Sequence, residues 1–278
     1  MKSMLDRVLR TGQVMQSRLI SRILGRHSVA IIADTAQGLF AIDPRDRGVG
    51  RQLLLKGTYG AQELERLRAH VPNGGRVLVV GCHIGTLAIP LARQCSELIA
   101  VEPNPASNRL LRVNLRLNEI TNCTVLDVAA SDYRGHIEML LSTANSGGAK
   151  RVPVHADAAY LYDRPEVARI ACAPLDELLP EARFDLIVMD IEGSEYFALK
   201  GMPKILAASS ALAIEFLPHH LRNVSAASVG QFLEPISTHF SRLVVPSKSL
   251  TVERSQFLPT LQHMFDRDEG DDGLIFTR

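Results

Sequence analysis

The sequence has 278 residues, of which 46% are hydrophobic and 22% charged, and its 31 basic residues nearly balance its 30 acidic ones. These values are typical of a soluble globular domain, no apolar run reaches the roughly 18 residues of a membrane span, and the near-zero net charge offers no overall field for nucleic acid. The cysteines are far apart and form no CxxC pair, which disfavours a zinc site or a disulfide framework and predicts a reducing, cytoplasmic compartment. They are Cys82, Cys95, Cys123 and Cys172.

The first 27 residues are basic, and their arginines alternate with apolar residues. This pattern predicts one or two amphipathic helices. Their candidate partners are an anionic membrane surface, an organelle import machinery, the domain itself or a second copy of the chain in a homo-oligomer. The following stretch, "SVAIIADTAQGLFAIDP", predicts a β-hairpin that turns near Gly38. We therefore divide the chain into an N-terminal extension, residues 1–60, and one larger domain, residues 61–278.

From Arg76 onwards, short aliphatic runs alternate with helical patterns. The runs "RVLVVG", "ELIAVE", "CTVLDVA" and "FDLIVMD" have the continuous apolar character of buried parallel strands, and "ALAIEF", "SRLVVP" and "DGLIFTR" continue the alternation. The sequence thus predicts an α/β fold with a doubly wound, mostly parallel sheet. Residues 131–173 interrupt the pattern and predict an irregular insertion, with a strand near "HIEMLL" and a flexible "STANSGGAK" loop.

A pair of glycines, Gly81 and Gly85, lies between the first of these strands and the following helix. A tight turn there brings backbone N–H groups against a ligand. Dinucleotide-binding turns have the pattern GxGxxG, in which the second glycine lets the backbone approach the pyrophosphate. His83 occupies that position here, and its imidazole would collide with the phosphates. The turn therefore favours a ligand without pyrophosphate.

Acidic residues end the next two strands. Glu102, 17 residues after Gly85, is placed to accept hydrogen bonds from both hydroxyls of a ribose, and Asp127, followed by "VAASD", is placed near an adenine edge. Together with the glycine turn, these residues specify an adenosine that carries no phosphate. S-adenosylmethionine fits that description.

Several blocks of the sequence resemble those of FkbM-type methyltransferases, a branch of the class I S-adenosylmethionine-dependent enzymes. The blocks are "VVGCHIGTLAIPLA", "IAVEPNPASNRLLRVNLRLNE", "VLDVAASDYRG", "PLDELL", "FDLIVMDIEGSEYFALKG" and "IEF". The resemblance covers roughly Leu53 to Phe216. It implies a seven-stranded Rossmann-like sheet, S-adenosylmethionine as cofactor, and methyl transfer to a hydroxyl oxygen of a sugar, lipid-linked or polyketide-type small molecule.

The resemblance also assigns site residues. Gly81 and Gly85 would flank the methionine part of the cofactor, Glu102 would hold its ribose, and Asp127 would lie near the adenine. The full predicted cofactor site is Gly81, Cys82, His83, Gly85, Thr86, Glu102, Pro103, Asn104, Asp127, Val128 and Asp190.

Methyl transfer to an alcohol needs a group that accepts the hydroxyl proton. Asp190, which ends the fourth strand beside the glycine turn, is the first candidate for this base. Glu192 and His83 complete the predicted catalytic set, and His219 and His220 are alternative bases. We predict no metal, because Asp190 and Glu192 are only two residues apart and no third ligand is evident.

Three positions depart from the family pattern. Val79 replaces an acidic residue, His83 replaces an asparagine, and the pair Tyr59–Gly60 replaces tyrosine–glutamate. A non-catalytic binding protein with this fold is therefore an alternative function, and an NAD(P)-dependent oxidoreductase, which His83 disfavours, is another.

The acceptor pocket is expected from the extension, the insertion and the segment after Phe216. With 5% aromatic residues and no tryptophan, a nucleic-acid acceptor is disfavoured. The acidic run 266–272 is expected to be a solvated turn.

Overall fold

A computed structural model describes residues 23–25, 27–142, 144–161, 163–180 and 182–278. The basic helix predicted over residues 1–27 falls mainly on residues 1–22, outside the described residues, and stays a prediction. None of the described helices is both long and apolar enough to cross a membrane.

The described strands, in chain order, are β1 (Ile31–Thr35), β2 (Gly38–Ile42), β3 (Arg76–Val80), β4 (Glu97–Val101), β5 (Cys123–Leu126), β6 (Ala129–Ala130), β7 (Gly135–Leu141), β8 (Lys150–Arg151), β9 (Glu166–Ala173), β10 (Leu186–Met189), β11 (Ala211–Phe216), β12 (Arg242–Val245), β13 (Leu250–Glu253) and β14 (Asp271–Thr277). The described α-helices of four or more residues are α1 (Val49–Lys56), α2 (Ala61–Arg68), α3 (Ala88–Ala92), α4 (Pro105–Leu117), α5 (Leu175–Leu178), α6 (Glu195–Lys200), α7 (Pro203–Ala208), α8 (Val229–Ser237) and α9 (Phe257–Asp266). A short helix, Pro218–His220, continues directly into a π-helical turn, Leu221–Ser225.

The central sheet has the strand order β13–β12–β14–β11–β10–β3–β4–β5. Strands β3, β4, β5, β10 and β11 are parallel, and β14 runs antiparallel between β11 and β12. This confirms the doubly wound, mostly parallel α/β fold. The sheet has eight described strands rather than the predicted seven, because Leu250–Glu253 folds back onto β12 as an antiparallel edge strand.

Buried side chains cover both faces of the central sheet. Helices α6 to α9 pack on one face and α1 to α4 on the other, so that β3 and β10 are apolar on both sides. Such two-sided burial explains why these strands are continuous aliphatic runs in the sequence. Helix α4 begins where predicted, since Pro105 occupies its first turn and the Asn104 Oδ1 atom accepts a hydrogen bond of 3.0 Å from the Ala106 N–H.

The predicted hairpin is confirmed: β1 and β2 pair antiparallel, with Thr35 opposite Gly38. Helix α4 fastens the hairpin, because Asn114 Oδ1 accepts the Ala41 N–H at 2.6 Å and Asn118 Oδ1 accepts the Leu39 N–H at 3.0 Å. These contacts place the N-terminal extension beside the glycine turn.

The insertion is more regular than the sequence suggests. Strands β6, β9, β7 and β8 form a second sheet, in that order, and β7 pairs with β9 along its whole length. The strand predicted near "HIEMLL" is confirmed as part of β7. The following loop contains a 3-10 turn, Ser146–Gly148, and its described residues approach the glycine turn.

Candidate active site

A cavity of about 840 Å³ opens at the carboxyl ends of the parallel strands. The turns after β3, β4 and β10 form its floor, and parts of the N-terminal extension and the insertion form its walls. Ligands bind at this edge of open α/β sheets, and the volume lies in the usual range for small-molecule sites. The predicted site residues that line it are Gly81, Cys82, His83, Thr86, Glu102, Pro103, Asp190 and Glu192.

Gly81 allows two strand ends to approach closely. Its φ angle is +90°, and a Cβ atom at this position would lie 1.8 Å from the backbone oxygen of Asp190. Any side chain would therefore push the turn after β3 away from the turn after β10. The glycine is required here for close packing of the cavity floor.

Gly85 has a different role. It does not line the cavity, and a Cβ atom here would meet the Leu111 side chain of α4 at 2.9 Å. This glycine brings the loop and α4 together behind the site. Its contribution to a ligand is therefore indirect.

Glu102 organises the turn that follows β3. Its Oε2 atom accepts the His83 N–H at 2.6 Å and its Oε1 atom accepts the Asn104 N–H at 2.8 Å. Burial raises the pKa of this carboxyl to about 7, although the two N–H groups oppose the shift. Each carboxylate oxygen has a second lone pair, so the group remains able to accept ribose hydroxyls.

The backbone conformation and the hydrogen bonds of His83 explain how the glycine turn accommodates a histidine. Its φ angle is +49°, a region in which asparagine and histidine are enriched among non-glycine residues. Its Nε2 atom lies 2.6 Å from the Ser146 Oγ atom, and that hydroxyl donates at 2.8 Å to Asp46 Oδ2. The imidazole is thus held by the extension and the insertion.

The tautomer of His83 follows from this chain of hydrogen bonds. Because Ser146 donates its only proton to Asp46, the Nε2 atom of His83 donates to Ser146. The Nδ1 atom then carries a lone pair, and it is buried without a partner. Burial lowers the pKa of His83 to about 4, so the ring is neutral near pH 7.

Besides Gly85, three further predicted cofactor residues lie outside the cavity lining. Asp127 is turned towards α4, where its Oδ1 atom accepts hydrogen bonds from Asn108 Nδ2 at 2.9 Å and Arg112 Nη2 at 2.5 Å. Asn104 caps α4. Val128 follows Asp127 and does not line the cavity, whereas the next residues, Ala129 and Ala130, do. In this arrangement Asp127 stabilises the helix rather than facing the cavity.

Asp190 lies where the sequence predicts it, at the end of β10 and open to the cavity. The surrounding protein and the neighbouring carboxylates raise its pKa well above the usual value, with burial as the largest cause and Glu192 next. In its ionised form, a carboxylate at this position can accept a proton from a hydroxyl held in the cavity.

Glu192 is paired with a residue that the sequence analysis missed. Its Oε2 atom lies 2.7 Å from the Lys150 Nζ atom of β8 and 3.4 Å from His220 Nε2. Glu192 also has a φ angle of +56°, which is strained for a residue with a side chain. The pair links the insertion to the cavity floor. Lys150 carries no motif, so only the fold reveals its position.

The two alternative bases do not line the cavity. His219 is exposed, whereas His220 is buried against Glu192. Burial and the nearby Lys150 lower the pKa of His220 to about 2, so this ring is neutral.

Further carboxylates that the sequence analysis did not assign surround Asp190. Among the described residues that line the cavity, six are acidic and two, Lys56 and Arg66, are basic. Glu215 points inward because the register of β11 against β14 shifts at this residue, and such bulges re-aim side chains near active sites. The remaining unassigned acids are Glu63, Glu195 and Asp272.

Two of these acids bear on earlier expectations. The run 266–272 is not wholly a solvated turn, because Asp271 is buried in β14, where it accepts the Ser247 N–H, and Asp272 lines the cavity. Glu63 supplies a carboxylate beside Gly60: a Cβ atom at residue 60 would lie 3.3 Å from Glu63 Oε2. Glu63, one helical turn after Gly60, therefore places a carboxylate near position 60, where the family pattern has a glutamate.

Part of the chain is similar in sequence to an RNA methyltransferase. The RNA methyltransferase RlmD of Shewanella amazonensis, described as a 23S rRNA (uracil(1939)-C(5))-methyltransferase, is 34% identical over 95 residues. The match covers 32% of this chain and only 21% of RlmD, so the chain spans about a fifth of that relative.

Solved methyltransferase structures resemble the chain distantly. Trm5b of Pyrococcus abyssi has a TM-score of 0.44 at 11% identity, over 91% of this chain and 57% of its own. A TehB-like S-adenosylmethionine-dependent methyltransferase of Corynebacterium glutamicum has a TM-score of 0.41 at 16% identity, over 82% of this chain and 93% of its own.

The sequence model of the FkbM methyltransferase domain matches residues 80–235. This range includes the glycine turn, Glu102, the turn after β10 and Glu215, and it covers more than half of the 278 residues. The chain therefore belongs to the FkbM methyltransferase family.

Proposed function

We propose that this S-adenosylmethionine-dependent methyltransferase methylates a hydroxyl oxygen of a small molecule, such as a sugar, a lipid-linked compound or a polyketide-type product. The observation that carries the proposal is the position of Asp190. It is a carboxylate with a raised pKa, open to the cavity and next to the glycine turn.

The residues of the cavity fit the methyl donor. S-adenosylmethionine carries no phosphate and has a positively charged sulfonium and ammonium group. The glycine turn lacks the second glycine that a pyrophosphate needs, and acidic residues outnumber basic ones among the described lining residues. Glu102 and the turn around Gly81 would hold the nucleoside and the methionine part respectively.

The protein has two tasks in the reaction. The sulfonium supplies an already activated methyl group, so the walls of the cavity must mainly hold the acceptor oxygen in line with it. Asp190 would accept the hydroxyl proton as the oxygen attacks. Glu192 is engaged by Lys150, and we therefore assign it to shaping the cavity rather than to proton transfer.

The acceptor side of the cavity is built from the extension and the insertion. Val49, Gln52 and Tyr59 line it from the extension, and Ile137 and Met139 line it from β7. This mixture of apolar and polar side chains suits a small hydroxylated compound. The excess of carboxylates disfavours a polyanionic acceptor such as RNA.

The proposal is tested by measuring S-adenosylhomocysteine release with a panel of sugars, glycolipids and hydroxylated polyketides. We expect Asp190→Asn to lower kcat by about 10²- to 10⁴-fold, the usual contribution of a general base. Asp185→Asn is the matched control, because Asp185 lies at the opposite end of β10 and accepts the Arg76 N–H there. Unchanged kcat in Asp190→Asn would contradict O-methylation with this base.

The same assay addresses the alternative of a non-catalytic binding protein. Calorimetric binding of S-adenosylmethionine without methyl transfer to any member of the panel would favour that alternative. A homo-oligomer and a membrane contact of the basic N-terminal helix stay predictions, as does a cytoplasmic location.

A further inference from the structure

We propose that this protein binds one divalent cation of the hard, oxygen-preferring class, such as Mg²⁺ or Ca²⁺, between the carboxylates of Asp190, Glu195 and Glu215. Neither the sequence pattern nor the family assignment identifies this site. It brings together the end of β10, the first residue of α6 and the bulge in β11.

The distances fit coordination of one ion. One carboxylate oxygen from each of the three residues lies within 4.8 Å of the other two. Two oxygens that share an ion are separated by at most twice the metal–oxygen distance, which is about 4.2 Å for Mg²⁺ and about 4.8 Å for Ca²⁺. The observed limit of 4.8 Å matches the size of a Ca²⁺ site, and Mg²⁺ would require the side chains to close by about half an ångström.

Two buried polar atoms in or beside the cluster have no hydrogen-bond partner. The Oε2 atom of Glu215 is buried without a hydrogen-bond partner, and so is the Nδ1 atom of His220. Their side chains are 9% and 6% exposed, and the two atoms approach to 3.5 Å without forming a hydrogen bond. Buried polar atoms without partners are uncommon, and a cation between the carboxylates would satisfy Glu215.

The described residues supply no lysine or arginine counter-charge to these three carboxylates. The nearby Lys150 forms its ion pair with Glu192, and among the described residues no lysine or arginine forms an ion pair with Asp190, Glu195 or Glu215. The three carboxylates lie close together and Glu195 is buried, so water screens their mutual repulsion only weakly. A bound cation would remove this electrostatic penalty.

The site also has a path to solvent and room for further ligands. Asp190 and Glu215 line the cavity, whereas Glu195 lies beneath its floor, where its Oε1 atom accepts the Ile191 N–H at 2.9 Å. Water or a hydroxyl from the cavity would complete the coordination shell.

A cation at this position would bear on catalysis, a role that rests on the proposed O-methylation. A hydroxyl bound to a divalent ion loses its proton more readily. One oxygen of Asp190 would bind the ion, and the second would remain available to accept that proton. Binding of the ion itself does not depend on the identity of the methyl acceptor.

The experiment measures ion binding directly, without methyl donor or acceptor. The full-length protein is treated with EDTA, desalted and titrated with MgCl₂ and CaCl₂ by calorimetry, and with Mn²⁺ by electron paramagnetic resonance. We expect one ion per chain. Glu215→Gln and Glu195→Gln, which keep the side-chain shape, should each weaken binding by about 100-fold or more, since even partners outside the coordination shell contribute 10- to 100-fold.

Asp272→Asn is the matched control. Asp272 lines the same cavity and adds to the negative field at Glu215, but it lies outside the cluster of three. Its loss should leave the affinity for Mn²⁺ nearly unchanged. If Asp272→Asn and Glu215→Gln weaken binding equally, the ion is held only by diffuse negative charge and the proposal is overturned.

Absence of stoichiometric binding to the unmodified protein would also overturn it. If Glu215→Gln does not fold, as judged by circular dichroism, Glu195→Gln carries the test, because its amide oxygen can still accept the Ile191 N–H. Ion binding by a protein that fails to methylate hydroxyls would support the site and contradict only the proposed function.

Discussion

Replacement of Glu102 tests whether one carboxylate both shapes the glycine turn and binds the nucleoside. Glu102→Ala removes the acceptor of the His83 N–H, at 2.6 Å, and of the Asn104 N–H, at 2.8 Å. A buried N–H without a partner costs about 1–3 kcal/mol, so the free energy of unfolding should fall by about 2–6 kcal/mol.

The effect on cofactor binding is separate from the effect on stability. Loss of a charge-assisted hydrogen bond to the ribose should weaken S-adenosylmethionine binding by about 1.5–3 kcal/mol, a roughly 10- to 150-fold increase in Kd. Glu102→Gln should be intermediate in stability between the unmodified protein and Glu102→Ala. The two carboxylate oxygens of Glu102 accept one N–H group each, whereas the amide of glutamine has a single oxygen that can accept.

Calorimetry with S-adenosylmethionine gives Kd, and urea denaturation gives the free energy of unfolding. The control is Glu97→Gln, at the other end of β4, where Glu97 pairs with Arg76 at 2.7 Å and is 42% exposed. This exposed pair should contribute less than about 1 kcal/mol to stability and nothing to Kd. If folded Glu102→Ala binds the cofactor as tightly as the unmodified protein, the ribose assignment is wrong.

Two further predictions concern buried charges. Lys150→Met should lower the free energy of unfolding by about 3–5 kcal/mol, since it leaves the Glu192 carboxylate without its partner, and the added change Glu192→Gln should restore much of the loss. Urea denaturation of the single and double variants checks this, and equal stabilities of the two would contradict it. The ligand-free protein should also lose stability between pH 6.5 and 8. Burial raises the pKa of three carboxyl groups to about 7, which is above their pKa in the unfolded chain. The folded state therefore favours the protonated form of these groups, and this contribution to stability is lost as they ionise. These groups are Glu63, Glu102 and Glu195. The buried histidines, whose pKa values are lowered in the folded protein, oppose this loss until the histidines of the unfolded chain are also neutral, near pH 7.5, so a stability that rises from about pH 7.5 to 8 would refute the argument.

The strand order and the position of the site could be predicted because they depend on local patterns. Buried parallel strands are aliphatic throughout, and the polar residue that ends each one marks the ligand edge. Gly81, Glu102 and Asp190 all lie where this rule places them, around one cavity. Fold class and family were accordingly accessible from the sequence alone.

The direction of a side chain was less predictable than the position of its Cα atom. Asp127 ends β5 as expected, but Arg112, one turn beyond Asn108 on α4, turns its carboxylate away from the cavity. Glu215 shows the opposite case, because a register shift in β11 aims it inward. Both outcomes depend on contacts between elements that are distant in the sequence.

Most of the regular β-structure of the insertion was not predicted from the sequence, for a related reason. Its strands carry few continuous apolar runs, since β9 packs one face only and alternates buried with exposed residues towards its end. Glycines and serines in the loop after β7 suggested flexibility, yet Ser146 donates to Asp46 and accepts from His83. Pairing with β7, rather than the composition of β9, makes this segment a sheet.

His83 connects the two halves of the site in a way that the usual asparagine is too short to reproduce. The backbone at this position adopts a left-handed conformation for either residue, so the turn itself is preserved. The longer imidazole reaches Ser146 of the insertion, and through it Asp46 of the extension. Because the same two regions line the acceptor side of the cavity, a displacement of either one strains the turn whose N–H is bound by Glu102. The histidine that first argued against a dinucleotide therefore also couples the glycine turn to the walls of the cavity that we propose for the acceptor.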